Sequence, residues 1–261
     1  MANNVDLKGK FILIVGGGKV GLSAFKYCKK KKAKILIVDP DRNCILRNYI
    51  EYFLEPNEIS EIESLISSSE SILIQGGIGT AFRLLDQFKF IYIFPTVPLH
   101  LSATFAVHYL TKLGKKIYPD TIIFSKLLEK ISSDLIYNID DKKAIATLSY
   151  MPEGLECKEK CSSPMVCPVT GIEKTAPLFE IINSAIHDFN GIVLESVQME
   201  PGLGAIEGNS IYNLFEYIKN KNKFIITTAS RCHGIINALK VGLNALKILN
   251  EVSQLPLSQQ L

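Results

Sequence analysis

No stretch of this chain holds about 18 consecutive apolar residues, so no membrane-spanning helix is expected. Its first residues, Met-Ala-Asn-Asn-Val-Asp-Leu-Lys, lack the apolar core of a signal peptide. That absence predicts a cytoplasmic protein whose six cysteines are reduced. Little charge of either sign is in excess. Lys and Arg number 29 against 26 Asp and Glu, leaving +3, which argues against a dedicated nucleic-acid surface. The run from Lys29 to Lys32 falls at the end of an expected helix, where cations meet the negative end of the dipole. What remains is an ordinary globular composition, 47% apolar and 21% charged over 261 residues. That length supplies a core for one large α/β domain or two small ones.

The chain is organised around residues 11 to 39. Phe-Ile-Leu-Ile-Val is followed by Gly16-Gly17-Gly18-Lys19-Val20-Gly21, a helix-length segment, and then Ile35-Leu36-Ile37-Val38-Asp39. Five apolar residues in a row suit a strand buried on both faces, as in a parallel sheet. Gly16, Gly18 and Gly21 fit G-x-G-x-x-G where strand turns into helix. The first glycine allows the tight turn, the second lets backbone approach a pyrophosphate, and the third lets helix pack on strand. The helix N-terminus then offers unpaired N–H groups and positive dipole to phosphates. Asp39 ends the second strand, 18 residues after Gly21, where a carboxylate can accept from a ribose 2′-OH and select NAD over NADP.

Residues 8–40 resemble the N-terminal Rossmann domains of two families, the siroheme-synthase (precorrin-2 dehydrogenase) type and the TrkA-N or RCK type. The resemblance implies a bound nicotinamide cofactor and leaves the reaction open. The precorrin-2 dehydrogenases use an acid near the cofactor. The loop after the 71–75 strand here reads Gln75-Gly76-Gly77 and contains none, which sets this chain apart from that activity.

Along the first half, strands are expected at 11–15, 34–38, 71–75 and 90–94, with helices near 19–31, 42–52, 58–67, 79–87 and 99–113. A short extra strand is expected within Glu51 to Pro56. Gly76 and Gly77 lie at a strand end on the same edge as the glycine loop. They either admit the cofactor or form a tight turn. His100 reads as structural or exposed before catalytic. Pro119-Asp120-Thr121 looks like a helix start, 123–131 is expected helical, and Leu135 to Ile139 is expected to form a strand. Asp140-Asp141-Lys142-Lys143 marks a boundary between a dinucleotide-binding unit, 1–141, and a second unit, 142–261.

The second unit reads as strand-loop-helix three times. Strands are expected at 144–150, 191–197 and 223–228, helices at 176–188, 209–219 and 234–249, and a polar tail at 251–261. Parallel pairing would gather its three loops on one edge. The first carries Cys157, Cys161 and Cys167, the second Gln198 to Gly204, and the third Ser230-Arg231-Cys232-His233-Gly234 at a helix N-terminus. Four thiolates from converging loops suit an iron–sulfur cluster or, second, Zn²⁺. The spacing C-x₃-C-x₅-C matches neither a zinc ribbon nor the ferredoxin run, although Pro168 follows Cys167 as in ferredoxin. Buried small hydrophobes or a disulfide are the competing uses. Cys232, between Arg231 and His233, is also a candidate reactive thiol, and His233 a ligand or an acid-base group. Cys28 and Cys44 are expected to be core thiols.

The fold class expected is therefore α/β, a Rossmann-like parallel sheet followed by a three-strand α/β unit with a cysteine-rich loop. The function expected is NAD(H)-linked redox chemistry. Gly16, Gly17, Gly18, Lys19, Val20, Gly21, Asp39, Gly76 and Gly77 would hold the cofactor, and Cys157, Cys161, Cys167 and Cys232 an iron–sulfur cluster or zinc. No flavin motif is evident to convert hydride into single electrons. The partner expected is a small-molecule substrate or a redox protein, without nucleic acid or membrane, and oligomer formation stays open. The alternatives are an NAD(H) or redox sensor without turnover and a tetrapyrrole dehydrogenase.

Overall fold

The computed structural model describes residues 5–158 and 161–242. The first apolar run becomes β1 (Phe11–Val15), followed by α1 (Lys19–Lys30), β2 (Lys34–Asp39), a 3-10 turn at Ile45–Tyr49 and β3 (Tyr52–Leu54). Then come α2 (Ile62–Ser68), β4 (Ser71–Gln75), α3 (Ile78–Gln87), β5 (Tyr92–Pro95) and α4 (Leu101–Lys112). The chain continues through β6 (Ile117–Pro119), α5 (Thr121–Leu128), β7 (Ile136–Asp140), β8 (Ile145–Ser149) and α6 (Leu178–Ile186). It closes with β9 (Gly191–Glu200), β10 (Leu203–Glu207), α7 (Gly208–Ile218), β11 (Lys223–Ala229) and β12 (His233–Val241).

Burial explains the runs. Leu13 and Val15 of β1 pack with Leu36 and Val38 of β2 in one core, among side chains of α2, α3, α4 and α7. Ile12 and Ile14 pack with Ile35 and Ile37 in a second core on the other face, against Phe25 and Cys28 of α1. Alternate residues of each strand thus enter opposite cores, and both parities must be apolar. Each such side chain contributes about 1.5–3 kcal/mol by leaving water. A third core joins α5 and α6 to one face of β8, β11 and β12 through Phe124, Leu148, Ile182 and Ile236.

The fold is α/β, with a mixed sheet of twelve strands and seven helices among the described residues. The sheet runs β3-β4-β2-β1-β5-β10-β9-β11-β12-β8-β7, with β6 also on β12. The first five strands are mutually parallel. β10 joins β5 antiparallel, through Ile206 opposite Ile93. β9 is shared: Ser196 to Glu200 pair antiparallel with β10, and Gly191 to Glu195 pair parallel with β11. β12, β8 and β7 follow antiparallel. Among the described residues no helix is long and apolar enough to cross a membrane.

The second half differs from the strand-loop-helix repeat expected of it. Residues 234–241, expected to begin a helix, belong instead to β12, which pairs with β11 and β8. The remainder of that expected helix and the tail at 251–261 lie outside the described residues. The expected loop at Gln198–Gly204 is a hairpin instead: β9 runs on to Glu200, turns at Gly202 (φ +80°), and returns as β10. Among the described residues, parallel pairing in this half is confined to β9 with β11. In the first half, the helix expected at 42–52 is reduced to the 3-10 turn, and the short strand expected after it is β3. Asp120 caps α5 as expected of a helix start, accepting from the N–H groups of Ile122 and Ile123 at 3.2 Å.

Candidate functional site

The glycine loop is held by its own backbone. Gly16 adopts φ +112°, a conformation open to glycine. Its N–H donates to the Val38 carbonyl at 2.8 Å. The Thr96 hydroxyl, from the loop after β5, lies 2.9 Å from Val15 O and 2.8 Å from Gly16 O. A Cβ on Gly21 would run into the Gly16 carbonyl oxygen, so the third glycine is required by the approach of α1. Gly18 faces open space, and α1 begins with neither a side-chain cap nor an acid in its first turn. Lys19 and Val20 stand exposed beside it. Those N–H groups remain available to an anion.

Asp39 has a job in this loop. Its Oδ2 accepts from the Gly17 N–H at 2.5 Å and its Oδ1 from the Asp41 N–H at 2.7 Å. Gly17 in turn accepts from the Leu46 N–H at 3.1 Å, and Cys44 packs where a Gly17 side chain would stand. A carboxylate has about four acceptor positions, so these two bonds do not exhaust the acceptor capacity of Asp39. Gly76 N–H donates to the Asp39 carbonyl at 3.0 Å, and its missing Cβ makes room for Thr80. Gly77 caps α3 and faces open space.

All four candidate cysteines line one cavity of about 340 Å³, together with Lys158, Lys174, Arg231 and His233. Two chain segments deliver them. Residues 165–174 fold into a small hairpin: Lys174 N–H donates to Met165 O, and Cys167 N–H to Ile172 O. Gly171 turns at φ +72°. Cys161 is tied to the β9–β10 hairpin, its carbonyl accepting from Gln198 Nε2 at 2.8 Å and Gly202 N at 3.1 Å. Cys232 sits in the turn between β11 and β12, where the Ser230 hydroxyl oxygen accepts from the N–H groups of Cys232 and His233 at 3.3 and 3.2 Å. No helix starts there, so the expected dipole at Cys232 is withdrawn.

The sulfurs differ in surroundings. Hydrogen bonds from the Thr170 hydroxyl and from the Thr170 and Val169 N–H groups hold the Cys167 thiol below its ordinary pKa. The Ser163 N–H donates to Cys161 Sγ at 3.4 Å. Cys157 Sγ lies 3.3 Å from His233 Nε2. Burial and then the neighbouring cysteines push the Cys157 thiol up. Burial of its ring and the Lys174 charge hold His233 down, although its edge reaches solvent. Lys174 is only 3% exposed, and its Nζ donates to the Pro164 carbonyl. Among the described residues no three His, Cys, Asp or Glu side chains stand in geometry to hold a metal ion.

A second cavity, of about 500 Å³, shares Met151, Cys157, Ser196, Ser230 and His233 with the first. Thr228 on its wall belongs to a buried polar chain. His100 Nδ1 lies 2.7 Å from Asn237 Oδ1, so that nitrogen carries the proton, and Nε2 accepts from Thr228 at 3.0 Å. The Thr228 oxygen then accepts from Ser102 at 2.9 Å. Burial holds His100 down to about 4, and the residue is structural. It joins the start of α4 to β11 and β12.

The structure thus brings together Cys157, Cys161, Cys167, Cys232 and His233, and separately Gly16 to Gly21, Asp39 and Gly76. Cys28 lies inside α1, buried. Cys44 is also buried, but it precedes the 3-10 turn and lies outside any helix. Sequence reasoning missed Thr96, Thr170, Lys174 and Ser230. Thr170 and Ser230 carried a readable signal, a hydroxyl near a cysteine in a turn-forming stretch. The distance of Thr96 from the glycines in sequence hid it.

A family model described as "Uncharacterized protein, N-terminal domain" matches residues 12–101, and its companion, "Uncharacterized protein, C-terminal domain", matches residues 106–242. An "Uncharacterized protein" of Archaeoglobus fulgidus is 32% identical over 228 residues, covering 87% of this chain and 98% of its own. No solved structure matches. The resemblance to siroheme-synthase and TrkA-N or RCK domains is corrected accordingly. It rested on about thirty residues of glycine loop, a local device that unrelated families share.

Proposed function

The chain belongs to the AF_1314 family, and we propose that it is an NAD(H)-binding oxidoreductase whose four cavity cysteines hold an iron–sulfur cluster. One observation carries the reading: Cys157, Cys161, Cys167 and Cys232, from segments far apart in sequence, border a single cavity. Cys161 and Cys167 there already accept N–H hydrogen bonds. At Cys167 those bonds favour the thiolate, the form that binds metal. When bound, the cluster would supply one-electron transfer. The Met165–Lys174 hairpin positions Cys167, the tie to Gln198 and Gly202 positions Cys161, and Ser230 shapes the turn presenting Cys232.

The nucleotide side of the reading rests on the strand order β4-β2-β1-β5, that of a Rossmann-like dinucleotide half, with the glycine loop following its central strand. Gly16, Gly18 and Gly21 meet the steric demands of a pyrophosphate at the uncapped start of α1. Asp39 would face the adenosine ribose while holding Gly17.

Purification without oxygen, followed by an absorption spectrum and iron, sulfide and zinc analysis, tests the cluster. Iron and sulfide in near-equal amounts are expected, and a colourless, metal-free protein would sink it. Calorimetric titration with NADH and NADPH tests the loop: NADH binds more tightly on this reading, and no heat with either removes it.

A further inference from the structure

We propose that the cysteine cavity also binds the substrate, and that the substrate is a small anion, a carboxylate or an oxyanion, held by Lys174 and drawn in by Lys158 and Arg231. The inference rests on the reading above for treating this cavity as the place of reaction.

Lys174 is the central observation. It lines the cavity, is 3% exposed, and among the described residues its Nζ has one hydrogen-bond partner, the neutral carbonyl of Pro164. Among the described residues it makes no ion pair. An ammonium taken out of water is costly unless an opposite charge meets it. Among the described residues the cavity supplies little of that charge from carboxylates: Glu195 is the one acid on a wall with the three basic side chains of Lys158, Lys174 and Arg231. Lys158 and Arg231 stand exposed beside it and, among the described residues, likewise form no ion pair. Elsewhere on the surface, cations do pair, as Lys112 does with Asp86 and Lys130 with Asp188. A concave site lined by one sign of charge focuses its field and raises the local concentration of counter-ions. At about 340 Å³ the space is at the small end of ligand pockets.

The sulfurs are the other candidate for balancing Lys174, and the experiment separates the two. Protein purified without oxygen is titrated calorimetrically with sulfate, nitrate and acetate in low-chloride buffer, and iron and sulfide are measured on the same preparations. Saturable one-to-one binding of at least one probe is expected. Lys174→Met should weaken it about tenfold or more, and Lys174→Arg should recover most of the loss. Arg231→Gln, at a solvent-open position, should weaken it about two- to fivefold and flatten its salt dependence. That variant keeps the test standing if Lys174→Met does not fold. Absence of saturable binding by all three probes overturns the inference, as does binding unchanged by both substitutions. Iron present without anion binding would show the sulfurs alone answering Lys174, overturning the inference and leaving the cluster. Anion binding without iron or zinc would overturn the cluster and leave the anion site.

Discussion

At the glycine loop the backbone is the working surface. Side chains are absent where α1 meets Gly16, and Asp39, Thr96 and Leu46 fix the loop through its own N–H and C=O groups. At the cysteine cavity the side chains are the working surface, and the backbone serves by pointing N–H groups at sulfur. The first site is written largely within residues 16–46, with ties to Gly76 and Thr96 further along the chain. The second exists only once the β9–β10 and β11–β12 hairpins have formed. A compact local site should therefore tolerate loss of distant contacts, whereas the cavity should fail as a unit.

The largest expected effect tests that unity. Cys167→Ala and Cys232→Ala, in different segments, should each reduce iron content to background, while Cys28→Ala should leave it unchanged. Iron analysis decides, and retention of full iron by Cys232→Ala would split the cavity into separate sites. The next effect concerns His100, which bridges the start of α4 to β11 and β12. Unfolded, it titrates near 6.5; folded, burial holds it down to about 4. The unfolded chain thus takes up the proton first. This contribution to stability is complete above about pH 6.5 and is lost as pH falls towards 4, amounting to roughly 3 kcal/mol at most. Urea unfolding at pH 7.5 and 4.5 should show His100→Gln with a shallower pH dependence than the parent, and equal slopes would discount the bridge.

A third test contrasts two glycines. Gly21→Ala would press a methyl into the Gly16 carbonyl, costing about 1–3 kcal/mol and NAD(H) affinity. Gly77→Ala, facing open space, should stay within about 0.5 kcal/mol in thermal unfolding. The smallest effect belongs to Asp39→Asn. An amide can accept one of the two N–H bonds the carboxylate now takes, so about 1 kcal/mol of stability should go. The preference for NADH over NADPH should narrow with it. An unchanged preference in calorimetry would mean that Asp39 only holds the loop.

The legible parts of the fold were those where one physical demand dominates. The strands of the first half read as unbroken apolar runs because both their faces are buried, and each glycine turn followed directly. The same double burial hid β12. Ile236 and Ala238 face the core under α5 and α6 while Leu239 enters the core on the other side, so strand alternation vanished and the apolar spacing mimicked a helix. β10 was obscured because Pro201-Gly202 and Gly204 look like one long loop when they are a tight turn and a strand bulge. The four cysteines border one cavity by a route other than the expected one. Antiparallel hairpins bring them together, where a row of parallel βα loops was expected. His233 and Ser230 stood in the expected loop, but the hydroxyl of Ser230 had no assigned role there, and Lys174 was unanticipated in this cavity.

The shared strand β9 has a consequence for how this polypeptide can be cut and recombined. Its family domains meet between residues 101 and 106, yet the open edge of β5 is closed only by β10, a hundred residues later. A fragment ending at that junction would carry β5 as a bare template, with the apolar underside of α4 missing, and would polymerise through it. Supplied together, the two fragments have every reason to find each other, and β10 adding to β5 would be the recognition event. The junction is thus a natural fission point for a complementing pair and a poor place to graft either half onto an unrelated protein.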